Sequence, residues 1–277
     1  MLDNVYLNGE YIKREEARLH VSDLSILRGY GVFDYFRYTG GQPRFLDDHV
    51  ARFRASAAAL GLDVGLAAGE IAEVVDQLIA RNGGGEGGIR LVLTGGYAAD
   101  GYHPVTPNLL GLPYAFTAPP AHLYGTGCTL MLHRYERQLP EVKSIDYLEG
   151  IRIQPALRSA GAQYPLYVDR EDNVRESDRS NFLIVREGTI VTPRDHILAG
   201  VTRRHLLRLA RGLGIPVREE AISTEALRLA REVIICSSVK GAMPVARIVW
   251  PSSAEAAWSY PAPGPVTRRL MEAWEEL

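Results

Sequence analysis

The sequence predicts an α/β protein, more narrowly an α+β chain with a smaller, strand-rich N-terminal domain and a larger, mixed C-terminal domain. Short runs of β-branched and aromatic residues alternate with stretches in which apolar residues recur at helical spacing. The run Thr117-Ala118-Pro119-Pro120 interrupts this alternation, as linkers do. We therefore expect domains at 1–116 and 125–277, joined by a linker at 117–124.

The N-terminal domain is predicted to begin with a hairpin. Val5-Tyr6-Leu7 and Tyr11-Ile12 flank Asn8-Gly9, a pair that adopts the positive φ angles of a type I′ turn. Residues 29–38 are rich in aromatic side chains and predict a strand that turns at Gly40-Gly41.

Two helices and two strands complete this predicted domain. Asp47 or Asp48 is expected to cap a helix that Gly61 ends. Its apolar positions recur at helical spacing: Val50, Phe53, Ala57 and Leu60. A second helix is predicted from about Glu70 to Ala80, ahead of Asn82-Gly83-Gly84-Gly85. Strands are predicted at 89–94 and 109–116.

The C-terminal domain is predicted to mix strands and helices without a repeat. The predicted strands lie near 128–134, 164–168, 181–186, 189–192 and 232–236. The predicted helices lie near 147–159, 202–213 and 223–230, with a last one from about Pro265.

Composition indicates a soluble protein and excludes several functional classes. The 277 residues carry a net charge of −2, which gives no electrostatic basis for binding nucleic acid or membranes. Cys128 and Cys236 are too few for a disulfide framework and lack the spacing of a metal site, so we expect no metal and a cytoplasmic location. The first residues show no basic region before an apolar core, so we expect no signal peptide.

Four separated motifs carry the chemistry. Lys143 lies in Lys-Ser-Ile-Asp-Tyr-Leu, and Glu176 begins Glu-Ser-Asp-Arg-Ser-Asn-Phe, which leads into a predicted strand. The other two are Leu-Ala-Gly-Val-Thr-Arg at 198–203 and His49-x-x-Arg52-Phe53. A lysine and a carboxylate are the two side chains that pyridoxal phosphate (PLP) chemistry requires.

In the order in which they occur along the chain, the motifs resemble the fold-type IV PLP-dependent aminotransferases over nearly the whole sequence. That family includes D-amino-acid, branched-chain and (R)-amine transaminases, with aminodeoxychorismate lyase as a cousin. The resemblance implies PLP bound at the domain interface, amino and keto acids as small-molecule substrates, and a homodimer with shared active sites. The aromatic segment around Tyr30–Tyr38 suits a subunit interface.

The resemblance also implies roles for individual residues. Lys143 is the Schiff-base lysine, which also moves the proton at the substrate α-carbon, and Glu176 pairs with the pyridine nitrogen. Arg52 supplies a cation for the phosphate. The full predicted cofactor-binding set is Arg52, Lys143, Tyr147, Glu176, Ser180, Asn181, Val201, Thr202, Ser237 and Ser238. This chain departs from the family at Asp146, where asparagine is usual.

Other interpretations of these residues stay open at this point. Lys143 and Glu176 have a simple alternative as solvated surface charges, and Tyr147 as a packed helix residue. Ser237-Ser238-Val239-Lys240 also matches the Ser-x-x-Lys signature of penicillin-recognising hydrolases, but neither Ser-Asp-Asn nor Lys-Thr-Gly occurs in the chain. A third possibility is that the motifs serve packing alone.

The substrate carboxylate is expected to meet an unusual set of cations. The loop after 89–94 lacks the Arg-x-His pair of familiar D-amino-acid transaminases, and Tyr35 stands where branched-chain enzymes usually have glycine. The predicted substrate-binding residues are Arg28, Tyr35, Arg90, Val239 and Lys240. Structural salt bridges are the alternative role for the two arginines.

These features predict a D-amino-acid transaminase of a non-standard subgroup. The expected donors are D-alanine or D-glutamate, and the expected acceptors 2-oxoglutarate or pyruvate. A branched-chain L-amino-acid transaminase or an (R)-amine transaminase is the alternative, and aminodeoxychorismate lyase is a more distant one.

Overall fold

The computed structural model describes residues 1–251 and 257–277, which form two compact units. The first unit comprises Met1–Thr117 and Val142–Asp146, and the second comprises Ala118–Glu141 and Tyr147–Leu277. The predicted α/β character, with a smaller strand-rich unit and a larger mixed unit, is confirmed. The segment Val142–Asp146, which contains Lys143, packs with the first unit, although it lies within the range predicted for the C-terminal domain.

The first unit is an antiparallel sheet with two helices on one face. Its elements are β1 (Asn4–Leu7), β2 (Glu10–Lys13), α1 (Leu24–Arg28), β3 (Gly31–Thr39), β4 (Gln42–Pro43), α2 (Leu46–Ala59), α3 (Ala68–Arg81), β5 (Gly87–Thr94) and β6 (Leu109–Ala115). The strand order is β2-β1-β6-β5-β3-β4. Asn8 and Gly9 have φ angles of 49° and 100°, as the predicted hairpin turn requires.

The core of the first unit lies between α2, α3 and one face of the sheet. Because side chains alternate along a strand, the side chain of every second residue of β3 and of β5 packs in this core. The contributing residues include Val32, Phe36, Tyr38, Ile89, Leu91 and Leu93, with Phe53, Ile71 and Leu78 from the helices. The opposite face presents Phe33, Tyr35 and Arg90.

The second unit is built on a mixed sheet with both faces covered. Its elements are α4 (His122–Thr126), β7 (Cys128–Arg134), α5 (Leu148–Arg152), α6 (Gln154–Ser159), β8 (Tyr164–Val168), β9 (Asn173–Val174), β10 (Asn181–Arg186), β11 (Thr189–Thr192), α7 (Val201–Gly212), β12 (Val217–Glu219), β13 (Ile222–Ser223), α8 (Thr224–Arg228), β14 (Glu232–Ser237), β15 (Gly241–Val249), β16 (Trp258–Ser259) and α9 (Pro265–Glu275). The order is β12-β11-β10-β14-β15-β7-β8-β9-β13, and β16 pairs with β15.

The central strands of this sheet bury both of their faces. Phe182 and Ile184 of β10 belong to one hydrophobic cluster, and Leu183 and Val185 belong to another. Such strands read as continuous apolar runs and therefore lack the alternation that identifies a half-exposed strand. β15 was not predicted for this reason, and because Pro244 within it is unfavourable for a central strand.

Several predicted boundaries were wrong. The helix expected at 147–159 is two helices, α5 and α6, and Pro155 lies at the start of the second. Neither Asp47 nor Asp48 is a helix cap: both lie in the first turn of α2, and the cap residue is Phe45 with φ 55°. Helix α1 was missed because it is short, although Asp23 caps its start and Gly29 its end in the left-handed conformation.

Within the described ranges, no helix is long and apolar enough to span a membrane. The same residues contain no group of three or more histidine, cysteine or acidic side chains able to hold a metal ion.

Candidate active site

The segment carrying Lys143 pairs with the beginning of β3. The Phe33 amide donates to the Lys143 carbonyl at 2.9 Å, and the Ile145 amide donates to the Gly31 carbonyl at 3.1 Å. The Lys143 amide donates to Ser56 Oγ, on α2, at 3.1 Å. The backbone of Lys143 is therefore held from both sides, by a strand and by a helix. Its Nζ lies 4.6 Å from the centroid of the Phe33 ring.

Helix α2 also carries Arg52, whose guanidinium is fixed by a buried carboxylate. Asp34 is fully buried and accepts from Arg52 Nε and Nη2, both at 2.8 Å, and from His49 Nδ1 at 2.7 Å. Burial opposes ionisation, but Arg52 and His49 hold the pKa of Asp34 well below its usual range. Sequence reasoning identified Arg52 and missed its partner. An acid within the apolar strand 31–38 was the available signal.

Arg90 and Tyr35 are directly opposite one another on β5 and β3. Arg90 lies on the sheet face opposite the core, while Ile89, Leu91 and Leu93 are buried, as the alternation of side chains along a strand requires. Its side chain is exposed.

Aromatic rings surround the Arg90 guanidinium. Arg90 Cζ lies 5.2 Å from the Phe33 ring centroid and 5.5 Å from that of Tyr114. The Tyr35 ring covers Gly88, where an added Cβ would come within 2.1 Å of the phenol oxygen. Burial raises the pKa of Tyr35, so its phenol is neutral at physiological pH. Phe33 is thus in contact with both Lys143 and Arg90.

Arg28 stands apart from these residues. It ends the five-residue helix α1, is exposed, and donates to the Leu27 carbonyl at 3.0 Å. Among the residues that the structure describes, Arg28 forms no ion pair or hydrogen bond with Arg90, Tyr35 or Lys143.

In the second unit, Glu176 is buried and accepts hydrogen bonds at both carboxylate oxygens. Arg137 Nη1 donates to its Oε1 at 2.9 Å, and Asn181 Nδ2 and the Leu198 amide donate to its Oε2 at 3.2 and 3.0 Å. Arg137 also donates to the Pro140 carbonyl at 2.9 Å. Donors of this kind stabilise the ionised carboxylate. Arg137 was missed by sequence reasoning because it lies 39 residues from Glu176.

Asn181 links Glu176 to the loop that precedes α7. Its Nδ2 also donates to the Leu198 carbonyl at 2.9 Å, and its Oδ1 packs so closely that a Cβ at Gly200 would come within 1.8 Å. Asn181 therefore contacts both the Glu176 carboxylate and the loop before α7. Gly200 is the N-cap of α7 and provides no side-chain cap, so the first amides of this 12-residue helix are available to an anion.

Four other predicted cofactor-binding residues lie at the start of a helix and at the end of a strand. Val201 and Thr202 are buried in the first turn of α7, and Ser237 and Ser238 are half-buried where β14 ends. Backbone amides and hydroxyls of this kind suit a phosphate group.

Lys240 is a buried ammonium. It is 7% exposed, donates to Ser180 Oγ at 3.0 Å, and lies 4.2 Å from the Tyr164 ring centroid. Within the described part of the chain, no carboxylate forms an ion pair with it. Burial, and then the Arg179 charge, lower the pKa of Lys240 to about 8 although Asp178 opposes the shift. Val239 precedes it in the same turn and is half-buried.

Tyr147 is the N-cap residue of α5. Burial raises its pKa to about 12, with smaller and opposing effects from Arg137 and from the carboxylates Asp178 and Glu176. The phenol therefore remains a hydrogen-bond donor over the physiological pH range.

Comparison with known proteins identifies the family. The family model for amino-transferase class IV matches residues 31–248. The chain belongs to this family. A D-alanine aminotransferase from Staphylococcus epidermidis is 27% identical over 281 residues, which cover 99% of this chain and 98% of that protein.

Solved structures of the family have the same fold. The branched-chain amino acid aminotransferase of Escherichia coli superposes with a TM-score of 0.89 and 25% identity, covering 100% of this chain and 95% of that one. The 4-amino-4-deoxychorismate lyase of Pseudomonas aeruginosa gives a TM-score of 0.84 and 27% identity, with 98% of each chain covered. The predicted family is thereby confirmed.

This aminotransferase is PLP-dependent, and its residues fit that cofactor. In the first unit, an arginine held by a buried acid suits a phosphate group. In the second unit, the uncapped start of α7 does so independently. Also in the second unit, the buried Glu176 carboxylate, which accepts from Arg137, Asn181 and the Leu198 amide, suits a protonated ring nitrogen. The residue roles themselves stay predictions.

Proposed function

We propose that this PLP-dependent aminotransferase takes its amino group from a D-amino acid of the D-alanine or D-glutamate type and passes it to 2-oxoglutarate or pyruvate. The observation that carries the proposal is the pair of cations on Phe33. Lys143 Nζ lies 4.6 Å and Arg90 Cζ 5.2 Å from the same ring centroid, so the two groups are separated by no more than the sum of these distances. A guanidinium so near the reactive amine is suited to the carboxylate of an amino acid.

In this proposal, individual residues of the chain have separate roles in binding the cofactor and in the reaction. Bound PLP supplies the electron sink for a carbanion at the substrate α-carbon. Lys143 holds the cofactor and moves the proton at that carbon. Arg52 binds the phosphate, and Asp34 keeps the guanidinium in one orientation. Glu176 carries the negative charge that favours a protonated ring nitrogen.

The burial of Lys240 supports an anionic substrate. An ammonium in an apolar site needs a counter-charge, and the described residues provide hydroxyl and ring contacts but no paired carboxylate. A substrate carboxylate supplies that charge. Tyr35 favours small donors, because its ring fills space over Gly88 where branched-chain enzymes usually have glycine at position 35.

A donor panel with purified holoenzyme tests the proposal. We expect D-alanine or D-glutamate to have the highest kcat/KM with 2-oxoglutarate as acceptor. A higher kcat/KM for L-leucine or L-valine would establish the branched-chain alternative, and a preference for (R)-1-phenylethylamine the amine transaminase. Pyruvate release from aminodeoxychorismate would identify the lyase.

Arg90→Ala tests the carboxylate contact within the same panel. Loss of a bidentate, charge-assisted contact costs roughly 1.5–3 kcal/mol, or about one to two decades in kcat/KM for amino acids. (R)-1-phenylethylamine, which has no carboxylate, should be affected little. Arg37→Ala is the matched control, because Arg37 lies on the same face of the sheet and its Cζ lies 3.5 Å from the Phe116 ring centroid. Equal losses for acids and amines would assign Arg90 a structural role.

We also propose a homodimer in which Arg28 reaches the site of the partner subunit. Exposed apolar side chains cluster around α1 and the loop between β5 and β6: Val21, Ile26, Leu27, Tyr97, Tyr102 and Val105. Gly101 of this loop lies against Leu27, so the cluster is contiguous with Arg28. The aromatic segment first considered for the interface contributes less, because Phe36 and Tyr38 are fully buried in the core.

Light scattering of the holoenzyme measures the subunit assembly. We expect about twice the 30.6 kDa chain mass, and an active monomer would overturn the proposal. Mixing inactive Lys143→Ala chains with impaired Arg28→Ala chains should raise the activity above that of Arg28→Ala alone if Arg28 acts across subunits.

A further inference from the structure

We propose that Phe33 is a positioning residue whose ring holds the Lys143 ammonium and the Arg90 guanidinium at a fixed spacing. The ring face is the place that the Lys143 amine occupies whenever it is not bonded to the cofactor. This inference rests on the proposed function, since it assigns Lys143 to the cofactor and Arg90 to the substrate carboxylate.

Phe33 is built into the sheet in a way that leaves its ring little freedom. It lies on β3 opposite Val92 of β5, and its residue is 8% exposed. Its amide donates to the Lys143 carbonyl at 2.9 Å, so the same residue contacts the lysine through backbone and ring. The ring position is therefore set by the same strand pairing that sets the lysine backbone.

The two charges near this ring repel one another. A Lys143 ammonium at 4.6 Å and an Arg90 guanidinium at 5.2 Å from one centroid have like charge, and repulsion alone would drive the flexible side chains apart. The negative face of an aromatic ring attracts cations placed within about 6 Å of its centroid. Phe33 offsets the repulsion by attracting both groups, whereas an aliphatic side chain of similar size would not.

The consequence for the reaction is geometric. Arg90 orients the substrate carboxylate, and Lys143 must reach the hydrogen on the adjacent α-carbon. Small displacements of a reacting group lower rates strongly. A ring that contacts both cations keeps the Lys143 amine and the Arg90 guanidinium at a constant separation. Phe33 thereby acts through Lys143 and Arg90 and does not itself need to contact the reacting atoms.

Graded fluorination of the Phe33 ring tests the attraction without changing the shape of the side chain. Fluorophenylalanine variants with one, two and three fluorines progressively weaken the negative ring face. In the cofactor-free protein, Lys143 acylation is followed by mass spectrometry as a function of pH. We expect the midpoint of the Lys143 profile to fall with each fluorine, by roughly half a unit to one unit in all. A midpoint that does not change over the series would overturn the proposal.

Natural variants give an independent measurement and a matched control. Phe33→Leu keeps an apolar side chain and should lower the midpoint, whereas Phe33→Tyr should preserve it. Phe116→Leu removes a comparable ring from Arg37, on the same sheet face, and should not shift Lys143. Circular dichroism confirms that each variant is folded. If Phe33→Leu does not fold, the fluorinated series decides alone.

A double-mutant cycle with Arg90→Ala tests the second contact. We expect Phe33→Leu to lower kcat/KM more for D-alanine than for (R)-1-phenylethylamine, about tenfold more. In the Arg90→Ala background that difference should disappear, because the guanidinium is absent. A difference that persists there shows that Phe33 does not act through Arg90.

Failure of this inference and failure of the proposed function have separate signatures. If Lys143 is not the cofactor lysine, Lys143→Ala retains the absorbance above 400 nm of the holoenzyme. If only the role of Phe33 is wrong, Lys143→Ala loses that band while the fluorinated proteins match the wild type.

Discussion

Arg52 in the first unit and Lys240 in the second are both cations withdrawn from water, but they are stabilised differently. Arg52 forms two hydrogen bonds of 2.8 Å with the buried carboxylate of Asp34. Lys240 contacts a hydroxyl and a ring, and burial lowers its pKa to about 8. The protein neutralises the cation that the resemblance assigns to the cofactor, and among the described residues it leaves Lys240 without an ion-pair partner.

Under the proposed function, the difference separates a cation that holds the cofactor permanently, Arg52, from one that binds the substrate, Lys240. A cation that always binds the same group benefits from a fixed partner that orients it. A cation that must accept and release a carboxylate in every cycle would be hindered by an internal carboxylate, which would compete with the substrate. The cost is a buried charge that weakens the fold while no substrate is bound.

The largest effect is expected for the reactive lysine, Lys143, and not for Arg52 or Lys240. Lys143→Ala removes the amine that holds the cofactor and moves the proton, so turnover should fall by about three orders of magnitude or more. The absorbance above 400 nm should be lost even if PLP remains bound through its phosphate. Near-normal turnover would remove Lys143 from the site. Lys13→Ala, an exposed lysine of the same unit, is the control.

Glu176→Gln extends the comparison to the anions. The amide keeps the size of the side chain but not the charge that meets Arg137, so the ring nitrogen loses its counter-charge. We expect kcat to fall on the order of 10²-fold, while PLP affinity falls less. Single-turnover kinetics and an absorbance titration measure the two quantities. A loss confined to PLP affinity would show that Glu176 only holds the cofactor.

Parallel substitutions with methionine compare the cations directly. Arg52→Met leaves Asp34 buried without its arginine and should destabilise the fold by about 3–5 kcal/mol. Lys240→Met removes an ammonium without an internal carboxylate and should stabilise the fold at pH 7 by roughly 1–3 kcal/mol. Thermal and urea unfolding measure both. Shifts of the same sign would contradict the distinction between the two cations.

The pH dependence of folding stability in the wild type and in Lys240→Met sharpens this test. The pKa of Lys240 is depressed to about 8 from 10.5, so the unfolded chain binds the proton more tightly. Above pH 10.5 Lys240 is neutral in both the folded and the unfolded chain, so it does not destabilise the fold. As the pH falls toward 8, the unfolded chain takes up the proton first, and the resulting loss of folding stability is complete below pH 8. The advantage of Lys240→Met should therefore be largest below pH 8 and vanish above about pH 10.5. An advantage independent of pH would indicate packing and not charge.

The smallest expected effect concerns His49 beside the Arg52 anchor. Burial, partly opposed by Asp34, lowers the pKa of His49 below its usual 6.5, so acid favours the unfolded chain. Wild-type stability should decline below pH 6.5 more steeply than that of His49→Gln, by at most about 1.4 kcal/mol per pH unit. Asp34 adds a loss only below about pH 3.8, since its pKa is depressed from there. Parallel slopes at pH 5–6.5 would show that His49 does not titrate on folding.

The sequence by itself determined the fold class, the family and the local turns. The Asn8-Gly9 hairpin and the alternation around Arg90 follow from rules that connect near neighbours in the chain. The motifs around Lys143 and Glu176 likewise consist of adjacent residues, and the family they indicated is confirmed over residues 31–248.

Tertiary structure alone decided which side chains act together. Asp34 meets Arg52 across 18 residues, Arg137 meets Glu176 across 39, and Lys240 meets Ser180 across 60. No local periodicity encodes such pairs, because they depend on which strand lies beside which helix. The same holds for Phe33, where a strand residue and a segment more than 100 positions later place two cations on one ring. Charge and residue type were visible in the sequence, whereas burial and partnership, which set the energetics of those charges, arise only when the chain is packed.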